Sequence, residues 1–209
     1  MAATAASQTA YAGRPGWAWW VLCVLATAVG GYGLLLQDAR AAKAAVPGLP
    51  WLDPVHFAAG GLALVVGVWG FRRDVLARAR QWHRRLGQIY CLAVLASGLA
   101  GLVMAVFSTG GLPTHLGFGL LAVLWLATTG IGWRHIHHRE VVPHRRWMVR
   151  SYALACAAIS LRVELPLLVF ATGSFGLAYQ IVSWACWVPN LLFAEWWLAR
   201  TDHAGRWRS

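Results

Sequence analysis

Acidic residues are scarce in this chain of 209 residues: Asp and Glu number 7 against 18 Lys and Arg, and charged residues of both signs make up 12%. A soluble domain carries roughly a quarter charged residues, so an ordinary water-soluble fold is excluded. Cysteine is too sparse and too scattered to form a framework. Cys23, Cys91, Cys156 and Cys186 each fall in an apolar stretch and share no CxxC spacing, which leaves neither a disulfide scaffold nor a zinc site. The polar-apolar alternation of a membrane β-strand is missing from stretches such as LAVLASGLAGLVMAVF. No GxSxG, HExxH, P-loop or dinucleotide fingerprint occurs, so the familiar hydrolase, NTPase and dehydrogenase signatures assign nothing.

Apolar residues, in contrast, reach 59% and gather in six blocks: Trp17 to Leu36, Trp51 to Phe71, Leu86 to Phe107, Leu112 to Trp133, Trp147 to Ala171 and Gly176 to Ala199. Each is long enough to cross a hydrocarbon core of about 30 Å as a helix. The expected fold is an all-α integral membrane protein of six transmembrane helices over residues 17–199, with tails at 1–16 and 200–209. Ala39-Arg40-Ala41 mimics a signal-peptide cleavage site, but the first block is too long for a signal-peptide core, so an uncleaved first helix is expected.

Of the 18 basic residues, fifteen fall on one side of this arrangement: Arg14, the group Arg72, Arg73, Arg78, Arg80, Arg84 and Arg85, the group Arg134, Arg139, Arg145, Arg146 and Arg150, and Arg200, Arg206 and Arg208. Arg40 and Lys43 lie on the other side and Arg162 lies within a helix. Basic loops stay cytoplasmic, so both termini are expected there, and the positive charge reports topology rather than nucleic-acid binding.

Four histidines stand at the starts of four consecutive helices, His56, His83, His115 and His144. Antiparallel packing puts His56 and His115 near the outer surface and His83 and His144 near the inner one. Gly60, Gly87 and Gly119 follow three of them by four residues, and both inner histidines open an HRR triplet, which suggests that helices 2-3 repeat as helices 4-5. Small residues continue each histidine face: Ala63, Gly67 and Gly70 after Gly60; Cys91, Val94, Gly98 and Gly101 after Gly87; Ala122 and Leu126 after Gly119. Such stripes serve close helix packing. They also leave room for a flat macrocycle, with an imidazole from each of two helices filling both axial positions of haem iron. Two haems are therefore expected, one at each pair; because His56 and His115 lie within their apolar blocks and His83 and His144 just ahead of theirs, a chain holding one haem would keep the outer pair.

This layout resembles the cytochrome b561 family, six-helix proteins whose four central helices hold two b haems through histidines paired between helices two and four and between three and five. The resemblance implies two haem b groups per chain and an electron-transfer role. More locally, HRRWMVRSYAL at 144–154, SLRVELP at 160–166 and WACWVPNLLFAEWW at 184–197 resemble the domain of unknown function 2306 family of bacterial membrane proteins. That likeness implies residence in the bacterial inner membrane.

Arg162 interrupts an apolar run and needs a partner. Stepping from His144 through Met148, Ser151, Ala155 and Ala158 reaches it on one face after about 27 Å of rise, near the outer histidine level. There it can meet a haem propionate, a quinone-type headgroup or an acidic substrate, or form an ion pair with Glu164, Glu195 or Asp53. On the inner side Arg84, Arg145 and Arg150 can hold propionates or simply anchor the topology. Asn190 and Glu195 can line a cavity or bond between helices. The run His135, His137, His138 reads as a solvated loop.

The expected function is transmembrane electron transfer by a membrane-bound di-haem oxidoreductase fed by a quinol, a small reductant or a redox partner subunit. The rival is a haem-free small transporter or scaffold subunit whose histidines relay protons or pack.

Overall fold

The computed structural model describes residues 16–35, 46–71 and 80–203. Expectations for Arg14, Arg40, Lys43, Arg72, Arg73, Arg78, Arg206 and Arg208, and for most of both tails, lie outside the described residues. Eight helical segments follow one another: α1 (Trp17–Leu35), α2 (Leu52–Gly70), α3 (Arg80–Val106), α4 (Leu112–His137), α5 (Val141–Ala155), α6 (Ala157–Thr172), α7 (Phe175–Ala185) and α8 (Val188–His203). α5 and α6 form one rod with an interruption at Cys156, and α7 and α8 form another with an interruption at Cys186 and Trp187. Five rods are long and apolar enough to cross a bilayer, and α1 adds a shorter apolar helix. The six expected spans are all helical.

The helices overrun the apolar blocks. α3 begins at Arg80 rather than Leu86, and α5 at Val141 rather than Trp147. Arginine, tryptophan and histidine are adequate helix formers, and at a membrane surface they snorkel, so the backbone stays helical after the hydrocarbon ends.

α2, α3, α4 and α5 pack in sequence and α2 closes the ring against α5. α1 lies along α2 and touches α6, while α7 packs on α6 and α4, and α8 on α5. The ring turns side chains inward by size. On α3 the interior takes Tyr90, Ala93, Val94, Ser97, Gly98 and Ala100, whereas Leu92, Leu95, Leu99 and Val106 are exposed on the outside, where lipid replaces water. Gly110 and Gly111, with φ of 108° and 75°, make the tight turn between α3 and α4 that other residues enter at a cost.

Hydroxyls meet near the axis. Tyr90 Oη and Ser151 Oγ are 2.7 Å apart, and Ser151 Oγ lies 2.6 Å from Thr129 Oγ1, so α3, α5 and α4 share one buried chain of hydrogen bonds. Tyr152 donates to the Leu64 carbonyl of α2 at 3.0 Å. At the end opposite the arginines, Val46 and Leu52 are buried against Ala100, so the segment before α2 folds into the bundle and the start of α2 is recessed.

α1 reaches α2 through two glycines. A β-carbon at Gly61 would stand 2.9 Å from Gly30 Cα, inside van der Waals contact. Gly61→Val should therefore destabilise the protein by about 1–3 kcal/mol, the usual cost of overpacking. The midpoint of thermal unfolding in detergent measures this. Gly31→Ala, at a position with open space around it, should leave that midpoint unchanged.

Candidate functional site

α3 and α5 run in the same direction, and the Tyr90–Ser151 contact fixes their register. His83 lies seven residues before Tyr90 and His144 seven before Ser151, two helical turns in each case, so each shares the face of its contact partner and the two histidines reach the same depth as one another. Each is the fourth residue of its helix. They lie within electrostatic reach of one another, and Arg145 is within reach of both.

The ring nitrogens differ in their engagements. His144 Nδ1 donates to the Gly132 carbonyl of α4 at 2.8 Å, which sets the tautomer and leaves Nε2 with a free lone pair. α5 comes this close because position 132 carries no side chain: a β-carbon there would lie 3.0 Å from the Met148 sulfur. His83 Nδ1 is buried with no hydrogen-bond partner among the described residues. Gly87, one turn beyond His83, borders open space.

His56 and His115 are not brought together. His56 lies against Gly101, its Nδ1 donating to the Ser97 carbonyl at 2.9 Å while Ser97 Oγ donates to the His56 carbonyl at 2.8 Å. His115 Nε2 instead donates to the Ser108 carbonyl at 2.9 Å. Gly101 lies within α3, more than a turn before its end at Val106, whereas Ser108 follows that end, so His56 engages the bundle at a deeper level than His115. The recessed start of α2 causes this offset. Gly60 clears Ser97, its β-carbon direction ending 2.9 Å from Oγ, and Gly119 faces open space.

Arg162 sits at the His56 level, as its helical face requires. Its Nη1 donates to the Ala158 carbonyl at 2.7 Å, its guanidinium lies 5.8 Å from the Tyr32 ring centroid of α1, and both it and buried Asp53 are within electrostatic reach of His56. Glu195, one of the partners considered for Arg162, is engaged elsewhere: its carboxylate takes Arg150 Nε at 2.5 Å and Nη2 at 2.8 Å, tying α8 to α5. Arg150 also stacks over Trp147 at 4.8 Å, and Arg146, Trp147, Arg150 and Glu195 line a groove of about 280 Å³. Arg84 is exposed beside His83. Asn190 bonds Ser160 and the Cys186 carbonyl.

Two features have no warning in residue type alone. Ser97 clamps His56, and the hydroxyl trio sets the register of His83 and His144. The available signal was the shared seven-residue step from each histidine to a hydroxyl.

The run expected as a loop is instead the last turn of α4, with His138 just past its end: His135 Nδ1 bonds the Glu140 carboxylate ahead of α5, and His137 packs on Trp133. Among the described residues no group of three or more His, Cys, Asp or Glu is arranged to hold a metal ion. The His135 hydrogen bond holds the Glu140 carboxyl below its usual range. A lowered folded value means the stabilisation is complete above the ordinary carboxylate pKa, about 4.3, and is lost as pH falls through the folded value. The difference in unfolding midpoint between the wild type and Glu140→Gln should therefore shrink to nothing on acidification through that window.

Residues 54–198, a segment that holds all four helix-starting histidines, match the model of the family described as predicted membrane protein (DUF2306). No curated protein and no solved structure matches the chain. The likeness to the cytochrome b561 family finds no support in these comparisons and remains one of helix and histidine order. The protein is a multi-pass helical membrane protein, and it belongs to the DUF2306 family.

Proposed function

We propose that this protein binds b-type haem between His83 and His144 and carries electrons in the bacterial cytoplasmic membrane, with both termini and the arginine-rich end in the cytoplasm. The observation that carries this reading is the register of the two histidines across parallel helices, one with its Nδ1 proton anchored on a carbonyl and the other with a buried, unpartnered nitrogen. A backbone carbonyl on the far ring nitrogen is what orients and strengthens a ligating imidazole. Bound there, haem supplies a one-electron ferric-ferrous couple.

The chain's own residues fit that role. His144 is locked in one tautomer by Gly132, Gly87 leaves open space one turn from His83, and Arg84 and Arg145 supply positive charge for propionates. Arg150 is already held by Glu195, so its contribution is to fix α5 against α8.

Carriage across the whole bilayer asks for a second redox group near His56, because Gly101, which His56 touches, is 18 residues or about 27 Å from His83 along α3. His56 keeps its Nδ1 proton on Ser97, so Nε2 is the nitrogen it offers, and Arg162 adds a positive charge for a propionate, a quinol-type headgroup or another small anionic reductant. A second haem there takes His115 as partner only after His115 releases Ser108.

The test is the visible spectrum of protein purified from haem-replete cells, before and after dithionite. A sharp reduced α band of six-coordinate low-spin haem is expected. His83→Ala and His144→Ala should each abolish the same band, while His115→Ala should retain it. A colourless protein would overturn the reading and leave the histidines as proton-relay or packing groups.

A further inference from the structure

Glu164 lies in α6 within the run Val163 to Leu168, about 10 Å inside the end of the apolar block that closes at Ala171. One of its oxygens, Oε2, is buried and has no hydrogen-bond partner, and among the described residues no ion pair includes it. Arg162 is two residues away on the helix and directs its guanidinium to the Ala158 carbonyl and the Tyr32 ring, on another side of α6. Two positions on a helix differ by about 200°, so the pair cannot face one another.

The side of α6 that carries Glu164 is polar in one place. Ser160, one turn earlier on the same face, exchanges hydrogen bonds with Asn190 of α8 at 3.1 and 3.3 Å. Asn190 Nδ2 also donates to the Cys186 carbonyl at 3.0 Å, at the interruption between α7 and α8. Pro189 lacks the N–H that would have continued the ladder there. The Cys186 thiol is within electrostatic reach of Glu164. Among the described residues, the other charged and titratable groups on α6 and the elements packed against it include Arg162 itself, Tyr32 and Cys23 of α1 and Tyr179 of α7.

An ionised carboxylate in hydrocarbon without a counter-charge is costly enough that the group keeps its proton instead. A permanently neutral carboxyl serves packing no better than glutamine or leucine. A carboxyl placed beside an interrupted helix, with an amide donor one turn away, has a means to lose the proton and be met by a donor when the seam opens.

We propose that Glu164 is a proton-binding site within the membrane, neutral in the conformation described, which takes its proton from and returns it to the aqueous face at the end of α6. The ligand is the proton alone. The proposal is independent of haem.

Dicyclohexylcarbodiimide, a lipid-soluble reagent that adds to un-ionised carboxyl groups, tests this on the wild-type protein in liposomes. Peptide mass spectrometry should find the adduct on Glu164 near neutral pH, diminishing as pH rises, with Glu140 and Glu195 unmodified. No adduct on Glu164 at neutral pH would overturn the proposal. Infrared spectroscopy gives a second readout: the carbonyl stretch of an un-ionised carboxylic acid, shifted by exchange into D2O, should disappear in Glu164→Gln. Its absence from the wild type, or its full retention in that variant, would equally refute it.

Discussion

The hydroxyls of Tyr90, Ser151 and Thr129 join three helices at the bundle axis, and the depth of every other polar group is read from that junction. A hydroxyl in hydrocarbon must find a partner or bear its full desolvation cost, about 1–3 kcal/mol on the scale of protein mutations. Sliding α3 by one turn strands Tyr90, and sliding α5 strands Tyr90 and Ser151 while Thr129 keeps the Trp125 carbonyl, so a single register is favoured. Two turns from this junction, toward the arginine-rich end, His83 and His144 come to one level. Seven residues separate each from its hydroxyl, close enough to two full turns that the face is preserved.

Small residues let this junction form. Gly30 and Gly61 admit α1 to α2, Gly67 admits the rings of Tyr152 and Tyr90, and Gly98 receives Leu126. Without a hydrophobic drive between helices in lipid, close packing and hydrogen bonds carry association. The same closeness leaves the middle of the ring filled by Tyr90, Val94, Trp125 and Tyr152.

The six spans were legible because hydrophobic length is a strong constraint in a bilayer. The position of Arg162 beside His56 was legible too, since helical periodicity from His144 survives the interruption at Cys156. Helix starts were not, because apolar blocks end where hydrocarbon ends while Arg80 and Val141 continue the backbone hydrogen bonds. That difference turned His83 and His144 from residues ahead of their blocks into residues of the first helical turns. The offset of His56 from His115 was hidden in residues 46–52, whose burial of Val46 and Leu52 recesses α2. Pairings such as Arg150 with Glu195 depend on which helices are neighbours, a fact that no single helix's pattern contains.

The central claim is that His83 and His144 share one level whereas His56 and His115 do not. Paired cysteines in a background lacking the four native ones, treated with a short bifunctional thiol reagent, test it most directly. The pair His83→Cys and His144→Cys should form an intramolecular cross-link, and the pair His56→Cys and His115→Cys, offset along the bundle, should not. Cross-linking of the second pair but not the first would contradict the register on which the account stands.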